Sequence, residues 1–489
     1  MFDRVARQTA AVFVVGACAA LTVVFAQAPA TSDKMPITTT SPEARKLYVD
    51  GRDLLERLRV TDGRRLFEQA IARDQNFALA YVGLANTSGT NREFVEAVTK
   101  AAALADKVSE GERHQILALE AGLKGDPAGN LTHVKELVRL FPNDERAHTQ
   151  LGVLYFGRQD YPNAIAEFEK ATSINPKFSP PYNQLGYAYK FLEKFSDAET
   201  AFKKYTELIP DDPNPSDSYA ELLMKMGRFD ESIKAYEKAL AIDPNFIASH
   251  IGIGNNYLAM GQPDKARTAF AKIATVARTT GEKRTARFWA AASYVHEGAT
   301  DKAIEELQAG YALAEANGDA GSMSGDLTQM GDILREAGRP ADALAKYEEA
   351  VTVVNKSKLP EEVKEATRRT HVFEEGRVAA SRGDIAAARA KLAEYTRQVA
   401  PKNRPFEVLQ QHELTGMIAL AEKEYAPAVQ ELKLANQQDP RILYLTALAL
   451  QGAGDASGAA TFAAKAAKFN GLNINYGYVR TKARKLAGT

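Results

Sequence analysis

The sequence predicts an all-α fold, a solenoid of stacked helix–turn–helix units, on three observations. A pattern of small and aromatic residues returns every 34 residues through four abutting units that start at Glu145, Ser179, Pro213 and Ile247. Within each unit the small residues stand where two antiparallel helices would cross, and a large ring follows them by a helical turn. A proline then closes the first three units, at Pro176, Pro210 and Pro244.

Composition sets the outer limits. The chain has 489 residues with 62 basic and 62 acidic side chains, and 45% of its residues are hydrophobic, so it can bury cores and has no global charge bias. That balance argues against nucleic acid as an obligate partner, because phosphate binding needs a basic face. With Cys18 as the only cysteine, a disulfide framework or thiolate zinc site within one chain is excluded.

At the start, Arg4 and Arg7 precede an apolar run from Ala10 to Ala26, followed by small residues at Ala26 and Ala28. This layout predicts a secretory signal peptide over 1–28 and export to a periplasmic or secreted location. Cleavage after Ala26 is preferred, since Pro29 would follow a cut after Ala28. An uncleaved membrane anchor is the alternative, the run being slightly short of the ~20 residues of a span. A lipoprotein signal ending at Cys18 is disfavoured by the apolar residues that continue beyond it. Residues 29–43, rich in Thr, Ser and Pro, read as a short flexible linker ending at a helix start.

The regular array is expected over 44–280. At the eighth place of the four clearest units stand Gly152, Gly186, Ala220 and Gly254; at the twentieth, Ala164, Ala198, Ser232 and Ala266; at the twenty-fourth, Phe168, Phe202, Tyr236 and Phe270. Two helices approach closely only where side chains are small, so Gly186 and Ala198 leave the room that Phe202 fills. Pro210 lacks an N–H and cannot continue the helix before it. Upstream units begin near Ala44, Ala78 and Gly111. Downstream units near Arg284, Ser324, Arg369 and Leu409, and an Ala-rich last unit from about Arg441, form a looser array over 281–476. Insertions between them place a candidate hinge near Gly281. A basic tail over 477–489 carries Arg480, Lys482, Arg484 and Lys485; a capping helix or contact with an anionic surface would each account for it.

On these residues the sequence resembles the tetratricopeptide repeat family, exported bacterial type, whose unit has this length. The resemblance implies a right-handed superhelical solenoid of about twelve repeats that exposes its first helices on a concave face. It also implies that places two, five, nine, twelve and thirteen of each unit line a groove for a peptide or helix. In the regular half these are Asn183, Tyr187, Lys190, Phe191, Asp217, Glu221, Met224, Lys225, Asn255 and Leu258. Rings there would bury side chains while amides pair a peptide backbone. Thr149 and Val153 replace two members of the carboxylate clamp some relatives use, so binding of a chaperone tail is not expected.

No catalytic residue, cofactor or metal is expected. No Gly-Lys dipeptide occurs, which removes a P-loop, and no GxSxG elbow is present. Of seven histidines, His114, His148, His250 and His412 share the fourth place of their units, which marks packing. The reading is a non-enzymatic protein-binding scaffold or adaptor of the cell envelope. Its alternatives are a structural subunit that self-associates through the Ala-rich end and, more remotely, a hydrolase or transferase with an unrecognised site. Membrane contact is expected only through an uncleaved or lipidated N-terminus.

Overall fold

A computed structural model describes residues 33–488; the expected signal segment, 1–28, lies outside the described residues, as does the start of the linker. Among the described residues there are twenty-five α-helices, one short 3₁₀ turn and no strand. Twenty-four helices form twelve antiparallel pairs. The first helices of the pairs are α1 (Pro42–Glu56), α3 (Ala78–Asn86), α5 (Glu110–Leu123), α7 (Glu145–Gly157), α9 (Pro180–Phe191) and α11 (Pro213–Lys225). They continue as α13 (Ile247–Ala259), α15 (Thr280–Glu297), α17 (Ala320–Glu336), α19 (Glu361–Ser381), α21 (Pro405–Ala421) and α23 (Pro440–Gly452). The second helices are α2 (Val60–Arg73), α4 (Asn91–Ala102), α6 (Pro127–Leu140), α8 (Tyr161–Ile174), α10 (Phe195–Leu208) and α12 (Phe229–Ile242). Then come α14 (Pro263–Val276), α16 (Thr300–Ala316), α18 (Pro340–Asn355), α20 (Ile385–Val399), α22 (Tyr425–Leu434) and α24 (Ala456–Ala467). A single helix, α25 (Asn475–Ala487), ends the described chain.

Local chemistry sets these boundaries. α8, α10 and α12 each stop two residues before Pro176, Pro210 and Pro244. Asp144, Asp160, Asp212 and Asp439 cap the helices that follow them, accepting bonds from first-turn N–H groups. Within each pair the crossing is tight. A Cβ built on Gly186 would stand 2.5 Å from the Phe202 ring, and one on Gly254 2.1 Å from the ring of Phe270. Ala164, Ala198 and Ala266 are wholly buried, as are Phe168 and Phe202, with Phe270 nearly so. Gly152 meets Phe168 in the same way.

Consecutive first helices α9, α11 and α13 pack on one another, as do α19, α21 and α23, whereas the second helices meet mainly the first helices beside them. The stack therefore curves with its first helices inside. It curves far enough for successive turns to touch. Arg278, before α15, faces Asp62 of α2 at 3.7 Å. Gly321 at the start of α17 lies against Asn91 of α4, where a Cβ would have no room. Arg404 Nε donates to the carbonyl of Gly125 at 3.1 Å, and Gln159 donates to Asn436 at 2.8 Å. Residues 33–41 are pinned rather than loose. Met35 N–H donates to Asp144 (2.8 Å), Thr38 N–H to Glu112 (2.7 Å), and Lys34 pairs with Glu145.

Candidate protein-binding groove

The inner positions of α9, α11 and α13 form one continuous wall. Lys190 Nζ donates to Glu221 Oε2 at 2.8 Å and stands 4.3 Å above the Tyr187 ring, whose hydroxyl donates to Glu221 Oε1 at 3.1 Å. Phe191 stacks on Tyr161 with ring centroids 5.4 Å apart. Asp217 accepts a bond from the Ser249 hydroxyl at 2.7 Å, and burial pushes its carboxyl up to about 8. Of the ten residues expected along the groove, Asn183, Lys190, Asp217, Met224, Asn255 and Leu258 are buried.

Part of that burial comes from the chain's own last segment. Lys225 Nζ donates to the Phe469 carbonyl at 3.2 Å and lies over the Phe469 ring, and burial pulls its pKa down. Arg480 of α25 donates to the carbonyls of Leu258, at 2.8 Å, and Ala259. Tyr478 accepts from Gln329 of α17 at 3.4 Å. The residues expected as a basic tail are therefore a helix laid along the concave side, with Lys482, Arg484 and Lys485 on its exposed face.

The concave face stays open in the second half. A cavity of about 330 Å³ lies between α17, α19, α21 and α23, with α25 along one side. Met417, Leu420, Tyr444 and Leu445 give it apolar walls, and Arg335, Arg377 and Arg441 a charged floor. Arg377 Nη1 donates to both oxygens of Glu374 (3.0 and 2.9 Å) and to Asp332 (3.3 Å), while its Nε lies 3.3 Å from Glu413. Arg441 pairs with Asp439 at 2.7 Å. Burial raises the carboxyls of Glu374, Glu413 and Asp439 each to about 7, against the pull of Arg377. These lining residues were not among the expected ones, although one register finds them. With Gly331, Gly376 and Gly416 at the eighth place, Arg335 is twelfth, Arg377 ninth, Glu413 fifth and Met417 ninth in their units.

Three of the four histidines at the fourth place pair with the second helix of their own unit. His148 and His412 each meet a glutamate of the second helix at 2.7 Å, Glu167 and Glu431, and His114 meets His133 at 3.0 Å. Among the described residues no group of three or more His, Cys, Asp or Glu is placed to hold a metal ion, and no helix is long and apolar enough to cross a membrane.

Tetratricopeptide repeat family models match residues 145–178, 179–212 and 223–282. Over these residues the chain is built of tetratricopeptide repeats. The structure continues the same pairing of helices to both sides of the matched units. No curated protein matches this repeat protein. Among solved structures it is similar to MamA, with 24% identity over 34% of this chain and 91% of that one, at a TM-score of 0.29. It is also similar to a tetratricopeptide repeat protein from Parabacteroides merdae, with 14% identity, coverage of 56% and 94%, and a TM-score of 0.36. The APC/C hetero-tetramer Cut9–Hcn1 aligns over 86% of this chain and 76% of that one, at 14% identity and a TM-score of 0.42.

Proposed function

We propose that this tetratricopeptide repeat protein is a non-catalytic scaffold of the cell envelope that holds a segment of a partner protein in its concave cavity. The observation that carries the reading is the cavity between α17, α19, α21 and α23. Equivalent inner positions of four consecutive units converge there, with apolar walls and a floor of buried, paired charges. Apolar walls supply area to bury, and fixed polar groups supply orientation, which is the make-up of a recognition site. The envelope location rests on the N-terminal sequence alone, with its two arginines, apolar run and small residues.

A photocrosslinking side chain placed at Met417 of the full-length protein in cells tests this reading. One defined protein attached at Met417, and not at the exposed Lys272 of α14, is the expected result. Equal labelling from both positions would sink the groove. Fractionation of the same cells, with sequencing of the N-terminus, should find the protein beginning near Gln27 in the envelope. Recovery in the cytoplasm with Met1 retained would end the export part of the proposal.

A further inference from the structure

The last helix lies across the solenoid as well as at its end. α25 packs on α23 and α24 and also on α15, whose pair is four units earlier. Its buried residues Tyr476, Val479 and Ala483 recur at spacings of three and four, which makes one apolar stripe. Between the first two contacts and the third, Arg480 turns to α13 and gives its terminal nitrogens to the carbonyls of Leu258 and Ala259. Those carbonyls belong to the last turn of α13, where the helix dipole favours a cation; that of Leu258 also accepts from the Gly261 N–H.

Clefts open to solvent flank this segment. A cavity of about 460 Å³ borders Gly477 and Thr481, one of about 270 Å³ borders Gly471 and Leu472, and the open cavity of the second half borders Val479. These spaces open to solvent along the segment, which is held between them by its apolar stripe and by the Arg480 contacts on α13.

We propose that residues 469–487 are an internal ligand of the concave groove. The external partner that takes the same seat is an amphipathic helix with an aromatic residue, an apolar residue three places on, an arginine four places on and a small residue seven places on. This is the helix-in-groove mode of recognition, with the resident helix as competitor. The inference rests on the scaffold reading for its biological use and names the chemistry of the partner. Because the resident segment is tethered, its effective concentration is of order millimolar, and an external helix binds weakly until the resident is loosened.

The experiment titrates a fluorescent peptide of residues 469–488 against two full-length proteins, the natural chain and a Tyr478→Ala, Arg480→Ala variant. Both substitutions lie in the resident segment and leave the seat intact. The peptide should bind the variant at least tenfold more tightly. Equal affinity for both, or no binding to a variant with unchanged circular dichroism, overturns the proposal. Should the variant fail to fold, hydrogen exchange on the natural chain decides. Amides of 476–486 are expected to exchange at least tenfold faster than those of α24, and equal protection would make α25 a fixed cap and end the idea. No cellular partner enters these measurements, so their failure is separable from failure of the Met417 crosslink.

Discussion

Phe202 decides what Gly186 can be. A Cβ at Gly186 would meet three atoms of the ring within 2.7 Å, and the ring is wholly buried, so it has nowhere to move. Gly186→Ala is therefore an overpacking change, and denaturant unfolding should show a loss of about 1–3 kcal/mol. Glu413 makes a second prediction. Burial raises its carboxyl to about 7, and that of Asp439 alike, while in the unfolded chain both return to the ordinary carboxylate range. The folded state thus binds more protons in between, so stability present at pH 4 is lost as pH rises through about 7. Arg377, Asp439, Arg335 and Asp332 are the charged neighbours that act on Glu413. The melting temperature should fall between pH 5 and pH 8, and Glu413→Gln should make that fall smaller. Residues such as Gly186 and Phe202 were legible in the sequence because one packing problem recurs every unit. The buried charges were not, since an arginine three residues after a glutamate on a helix looks the same whether that face is wet or dry.

Arg377 binds three first helices together. It touches Asp332 of α17, Glu374 of its own α19 and Glu413 of α21, and it is itself buried. Removing it leaves carboxyls buried without their counter-charge, which costs about 3–5 kcal/mol unless they protonate. Arg377→Ala should therefore open the second half first, seen as protease cleavage between α17 and α21 while α7 to α14 stay intact. At this scale the sequence carried the helix pairs almost completely, because prolines, aspartate caps and small residues act locally. It did not show that α25 folds back. The stripe Tyr476, Val479 and Ala483 is thin among basic residues, and the α13 carbonyl that Arg480 reaches is encoded 222 residues earlier.

The described residues form a coil whose turns meet. Stability in an open solenoid is a sum of neighbouring terms, but here Asp62 with Arg278 and Gly125 with Arg404 join units far apart in sequence. Arg278→Glu with Arg404→Glu should break two of these ties. The expected result is a larger radius of gyration by small-angle scattering with helix content unchanged; an unaltered radius would mean the inner contacts of α25 alone hold the coil. No local pattern announces such contacts, since they depend on curvature accumulated over many units.

The meeting of turns also restricts how this chain can change length. Open repeat arrays tolerate the gain or loss of a whole unit, because every junction resembles every other. In this chain the deletion of one unit between α6 and α15 would carry Asn91 away from Gly321, Asp62 from Arg278 and Gly125 from Arg404 in a single step. The number of repeats is thereby part of the fold, as the number of teeth is part of a gear.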